Sequence, residues 1–353
     1  MNKRIICWII MLFFAIQSCD DETSNSNEEV EVDTTAPVLT IPIHAVNRTQ
    51  NQMTLSWMTD ERSTAILTWE GYSLSDSLLL NDLDTNFTAI LTNLELGSEY
   101  IITLTVINEL ELESTVTDTF YTLIADFALY DGTGAWPEGV LNEKNLLDEI
   151  GYSWTIVTED DINAVSLYPY YKALWMPGGW AGDYKNVISS YGEENIDNFI
   201  RKGNFYIGSC AGGYYASDST IWEDVHYDNP LDFFNGYAIG PLNELAIWPS
   251  YIYTTVNLNN EFEALETLPD SIEMLYYGGA YYQSVGSLNE NAIVMAQYSH
   301  NNEVMALLEP IGKGYYFISG CHPEVRRVSK PDAWPFMSAV IDWAMERVRI
   351  ELP

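Results

Sequence analysis

At 353 residues the chain is long enough for two hydrophobic cores and a leader. Its 51 acidic and 15 basic side chains give a net charge of −36, which argues against nucleic-acid binding, because phosphate contacts need clustered Lys and Arg. Four scattered histidines and four cysteines offer no metal-ligand spacing, so neither a metal nor another cofactor is expected.

Residues 1–19 carry Lys3 and Arg4, then an apolar run from residue 5 to residue 16, and stop at Cys19. That is the form of a secretory leader, too short to span a bilayer comfortably. Residues 20–35 are polar and acidic, cannot bury enough surface to fold, and read as a flexible tether. Over residues 36–124 short β-rich runs recur at 53–57, 65–69, 88–91, 100–107 and 115–121, with polar turns between them. These spacings predict an all-β sandwich. It reads as a spacer, with ligand binding as the alternative.

From residue 125 the pattern becomes alternating strands and helices. A short strand at 127–130 leads through Gly132 and Gly134 to Pro137, well placed as the first residue of a helix. That helix carries Val140, Leu146, Leu147 and Ile150 on one side, and Gly151 caps it. Strands follow at 153–157 and 173–176, then a helix marked by Ile196, Phe199 and Ile200 and ended by Gly203, then a strand at 205–207. Between them Trp180 reads as a lid over the core. This order predicts an α/β fold with a doubly wound, mostly parallel sheet and its site beyond the carboxyl ends of the strands. Runs at 251–258, 272–277, 292–298 and 304–309 predict an antiparallel extension whose loops cover the site, and residues 334–348 form a closing helix. Glu223, Tyr281 and Tyr282 lie on this extension as candidate substrate contacts, packing being the alternative for each.

The chemistry concentrates at residues 208–212, Gly-Ser-Cys-Ala-Gly, where an apolar strand turns into a small-residue helix. A G-x-C-x-G elbow lifts one side chain out at a sharp bend, and flanking glycines provide the unusual backbone angles and the room. The following helix points its N-terminus at the sulfur, which favours a thiolate. Cys210 is therefore the candidate nucleophile. His322 is the candidate base, because it ends the apolar run at 315–318, and Glu324, spaced by Pro323, is placed to hold one ring nitrogen while the other faces the thiol. The backbone N–H of Ala211 is a candidate stabiliser of the oxyanion formed in acyl transfer.

At these residues the chain resembles the class I glutamine amidotransferase-like superfamily, which joins such an elbow to a late His-Pro-Glu. Within it the likeness is to the domain at the N-terminus of fungal biotin-protein ligases. The matching pieces run in order over residues 126–345: Tyr130-Asp131-Gly132, Met176-Pro177-Gly178-Gly179, residues 195–203, the elbow, residues 234–241, Tyr276-Tyr277-Gly278-Gly279 and His322-Pro323-Glu324. The resemblance implies a flavodoxin-like sheet over residues 125–353 and a second oxyanion N–H at Gly179. Gly178, Gly132 and Tyr282 join the expected oxyanion and substrate-contacting set. Residues 94–100 resemble the L-x-P-G-x-x-Y corner of fibronectin type III domains, with Leu96 in place of proline. Residues 15–19 resemble a lipobox with Ala15 in place of leucine, and the acidic run after Cys19 resembles the export signal of Bacteroidetes lipoproteins. Lipidation at Cys19 implies a membrane-anchored protein of the cell envelope, at the cell surface or in the periplasm.

A rival use of Cys210 is a disulfide with Cys321, which an oxidising envelope permits. Strand alternation turns Cys321 to the face opposite His322, which speaks against that bond. The expectation is a cysteine-dependent hydrolase of an amide, peptide or related acyl bond, with a small-molecule, peptide or glycan substrate and no recognisable synthase partner. A binding-only protein of the same fold and an assembly factor acting through the sandwich are the alternatives.

Overall fold

The computed structural model describes residues 34–348; the leader, Cys19 and the tether up to residue 33 lie outside the described residues. Five strands open the described chain: β1 (Leu39–Arg48), β2 (Gln52–Glu70), β3 (Ser75–Thr92), β4 (Glu99–Asn108) and β5 (Glu113–Tyr121). Side chains of β2 and β4 alternate between buried and more exposed, as one-face-buried strands require. The runs expected at 53–57 and 65–69 are the two halves of the single strand β2, with a register shift between Met58 and Ser63 where the strand changes partners. Its first half pairs with β1 and the end of β3, and its second half with β4 and the start of β3. One ladder thus supplies two leaves around a shared core, in which Trp57 stacks on Phe87 at 5.2 Å. The Tyr100 hydroxyl accepts from the Glu95 N–H at 2.7 Å, and Gly97 takes φ 56, which closes the corner at residues 94–100.

Backbone carbonyls of the segment at 169–170 hold this β-rich part. Arg48, only 2 % exposed, donates to the carbonyls of Tyr121 (2.8 Å) and Pro169 (3.1 Å), and the Ile124 N–H donates to the Tyr170 carbonyl. A buried guanidinium needs such acceptors, and here both come from backbone.

The remainder is a mixed α/β structure. Its strands are β6 (Phe127–Tyr130), β7 (Trp154–Val157), β8 (Ala173–Met176), β9 (Phe205–Ser209), β10 (Ser217–Trp222), β11 (Val225–Asp228), β12 (Phe234–Gly240), β13 (Ile252–Leu258), β14 (Ser271–Tyr276), β15 (Tyr281–Ser284), β16 (Ile293–Tyr298), β17 (Val304–Ile311) and β18 (Gly314–Ser319). Its helices are α1 (Pro137–Ile150), α2 (Glu159–Ala164), α3 (Ala181–Val187), α4 (Ser190–Arg201), α5 (Ala211–Ala216) and α6 (Trp334–Arg347). The main sheet has nine strands in the order β14-β13-β16-β17-β18-β9-β8-β6-β7. The run from β18 to β7 is parallel, and the run from β17 to β14 is the antiparallel extension. β6, β8 and β9 are buried along their whole length, as parallel strands covered on both faces must be. One face packs on α2, α4 and α5, the other on α1 and α6. Strands β11-β10-β12-β15 form a separate four-stranded sheet that the sequence pattern does not separate from the extension.

Candidate active site

Cys210 stands between β9 and α5 with φ 48 and ψ −99, a backbone conformation costly for any residue with a Cβ. It is held there because its N–H donates to the Ser319 carbonyl at 2.7 Å and its own carbonyl accepts from the Tyr214 N–H at 3.0 Å. The flanking glycines are needed for close approach. A Cβ on Gly208 would lie 2.6 Å from the Gly212 backbone, and one on Gly212 would lie 2.1 Å from the Met176 carbonyl oxygen.

Strand pairing delivers the second group. Ser209 and Ser319 are partners at the ends of the parallel strands β9 and β18, so the elbow and His322 emerge at the same sheet edge. His322 Nδ1 lies 2.8 Å from Glu324 Oε1, and the two side chains are 1 % and 0 % exposed. The imidazole rests on Gly178, where a Cβ would come within 2.3 Å of Cε1, and the Trp136 ring packs on it edge-on at 4.9 Å. Burial alone would depress the ring, but the Glu324 carboxylate and the neighbouring Cys210 outweigh it, and His322 is pushed up to about 10. His322 Nε2 has no hydrogen-bond partner, and the sulfur instead lies 3.7 Å from the Tyr277 carbonyl oxygen.

Gly179 and Ala211 line the same cavity as Cys210. The isolated bridge between Ala135 and Gly179 is made by the flanking pairs, Trp136 N–H to the Gly178 carbonyl and Trp180 N–H to the Gly134 carbonyl, which leaves the Gly179 N–H outside the ladder. Ala211 opens α5, so its N–H has no carbonyl four residues back within the helix.

In front of Cys210 lies a cavity of about 220 Å³ walled by Trp180, Trp222, Trp248 and Tyr277. Of these, sequence reasoning points to Trp180, as a lid over the core, and to Tyr277, within a piece that carries the family resemblance; it does not point to Trp222 or Trp248. Gly132 packs against Tyr130 and Glu159, away from this cavity. Tyr282 is 3 % exposed, with its ring edge-on to Phe234 and its hydroxyl against Gly213 of α5. Tyr281 is half-buried beside the second core, and Glu223 is exposed in the turn between β10 and β11. Cys321 is free and fully buried in the core on the α6 side, where burial pushes its thiol far up; Cys210 is free as well, so the two form no disulfide. Among the described residues no group of three or more His, Cys, Asp or Glu is placed to hold a metal.

Behind the His–Glu pair stands a further group, Glu143 of α1, fully buried with neither carboxyl oxygen hydrogen-bonded. Burial first and the charge of Glu324 second push its carboxyl well above the ordinary range.

A fission-yeast (Schizosaccharomyces pombe) biotin–protein ligase is 25% identical over 194 residues, covering 51% of this chain and 28% of that protein. An uncharacterized protein of Chlamydia muridarum is 27% identical over 160 residues, covering 43% of this chain and 60% of its own. The chain therefore spans less than two thirds of the length of either relative. The solved structure of a glutamine amidotransferase from Thermotoga maritima superposes with a TM-score of 0.39 at 14% identity, over 62% of this chain and 84% of that one. The match to a protein family runs from residue 125 to residue 342 and takes in Gly178, Cys210, His322 and Glu324, so the chain belongs to the family described as biotin-protein ligase, N terminal.

Proposed function

We propose that the α/β part cleaves an amide or related acyl bond through a thioester on Cys210. The thiolate attacks the acyl carbon, and the new oxyanion is held by the Gly179 and Ala211 N–H groups. Imidazolium His322 gives its proton to the departing nitrogen as the C–N bond breaks. Water then adds to the thioester, His322 takes its proton, and the C–S bond breaks to release the acid and restore the thiolate. Glu324 fixes the ring tautomer and balances its charge. The observation that carries this reading is the strained Cys210 elbow at the same sheet edge as a buried 2.8 Å His322–Glu324 pair.

Iodoacetamide labelling of the purified chain tests the proposal. Wild-type Cys210 should react at least 10-fold faster than Cys210 in His322→Ala; equal, slow labelling of both supports the binding-only reading, for which the aromatic cavity is the favouring observation. We also propose that the protein is anchored in the cell envelope through a lipid on Cys19, a reading supported by the basic and apolar leader that stops there. Cys19→Ser should move the protein from the detergent phase to the aqueous phase in Triton X-114 partitioning.

A further inference from the structure

The cavity in front of Cys210 says what kind of acyl group would be cleaved. Its wall is a packed aromatic array: Trp222 lies edge-on to Trp180 at 5.3 Å and to Trp248 at 5.5 Å, and Trp248 stacks on Tyr277 at 5.1 Å. The rings touch one another, so the array presents a continuous apolar wall. Trp180 stays 44% exposed at this wall, a large apolar surface that a bound group would cover.

The polar side chains of the lining are largely committed elsewhere. Asn229 Nδ2 donates to Thr220 Oγ1 at 3.0 Å, and the Tyr214 hydroxyl donates to the Gly278 carbonyl at 3.1 Å. Among the described residues no Asp or Glu lines the cavity, and the charged side chain that does is that of Lys185. A free amino acid brings an ammonium group, and burying that charge without a carboxylate is heavily penalised. Lys185 at the rim would add repulsion. A flat ring, in contrast, gains edge and face contacts with the tryptophans. The volume also fits: about 220 Å³ exceeds the ~150 Å³ that suffices for benzene in an apolar protein cavity, leaving room for an amide group.

We infer that the site takes a neutral or anionic amide that bears a flat six-membered ring and has no free amine, and that it rejects free glutamine. This rests on the reading of Cys210 as an acyl-transfer nucleophile. The test uses two chloromethyl ketones with the same reactive group on the full chain: the zwitterionic glutamine analogue 2-amino-5-chloro-4-oxopentanoic acid, and its N-benzoyl derivative. Rates of Cys210 labelling are read by mass spectrometry of the peptide that carries it. The benzoyl compound should label at least 10-fold faster, and the ratio of the two rates should fall toward one in Trp180→Ala or Trp248→Ala. Free-amine labelling as fast as or faster than benzoyl labelling overturns the inference, and so does a ratio that both tryptophan variants leave unchanged. Iodoacetamide, which carries neither feature, separates the two layers. His322-dependent iodoacetamide labelling with a ratio near one removes the substrate class alone, whereas His322-independent labelling removes the nucleophile reading beneath it.

Discussion

Replacing Glu324 by Gln keeps the size of the side chain and one acceptor for the His322 ring and removes only the charge. His322 is 1 % exposed, so once the carboxylate is gone burial pushes the ring down and only the neighbouring Cys210 still opposes it. In the native protein the ring keeps its proton to about pH 10 where the ordinary value is 6.5. At pH 7 that retention is worth about 4 kcal/mol, inside the ~3–5 kcal/mol expected when one partner of a buried ion pair is removed. A cation whose folded value is raised contributes fully below its unfolded value, near 6.5, and its contribution is lost as pH rises through about 10. Glu324→Gln should therefore be less stable than wild type by a large share of that ~4 kcal/mol near neutrality, with the gap narrowing toward pH 10. Urea unfolding followed by tryptophan fluorescence at pH 6, 8 and 10 measures it. A gap of the same size at all three pH values, or none at pH 6, refutes the ion-pair account.

Cys210→Gly should abolish alkylation yet raise stability, by about 1–3 kcal/mol before the entropic cost of glycine is subtracted, because φ 48 with ψ −99 strains any residue bearing a Cβ; thermal melting and mass spectrometry read the two effects on one sample. Glu143→Gln should also stabilise. The native carboxyl has a raised folded value, so its stabilising protonation is complete below the unfolded carboxyl range and is lost as pH rises above it, and the advantage of the variant should grow from pH 5 to pH 8 in melting experiments. Gly178→Ala should slow Cys210 labelling by roughly 10–100-fold, since the added methyl would lie 2.3 Å from His322 Cε1 and must displace the ring; an unchanged rate would show that the ring position does not matter.

The elbow was legible because strand, glycine and nucleophile are adjacent in sequence, and His322 because a His-Pro-Glu follows directly on an apolar run. Their meeting is then a matter of parallel pairing between β9 and β18, which the alternating pattern predicts in kind. The aromatic wall was not legible in this way. Trp180, Trp222 and Trp248 lie in three separate segments with no shared period, and only the folded chain packs them edge to face. Glu143 does carry a signal in the sequence: it stands three residues after Val140 and four before Leu147, on the buried side of α1. Read as one charge between Asn142 and Lys144, it resembles a solvated face. In the β-rich part each apolar run was visible, but the continuity of β2 through residues 59–62 was not, because the polar stretch Thr59-Asp60-Glu61-Arg62 looks like a turn and folds as the bend between two leaves.

Arg48 gives the β-rich part the character of a bracket. With its guanidinium clasped by carbonyls from β5 and from Pro169, no swivel separates β1 from the α/β part, and calorimetry should record both melting in one cooperative transition. The cavity mouth then keeps one heading relative to β1, so the β-rich part and the wall around Cys210 turn together as one body.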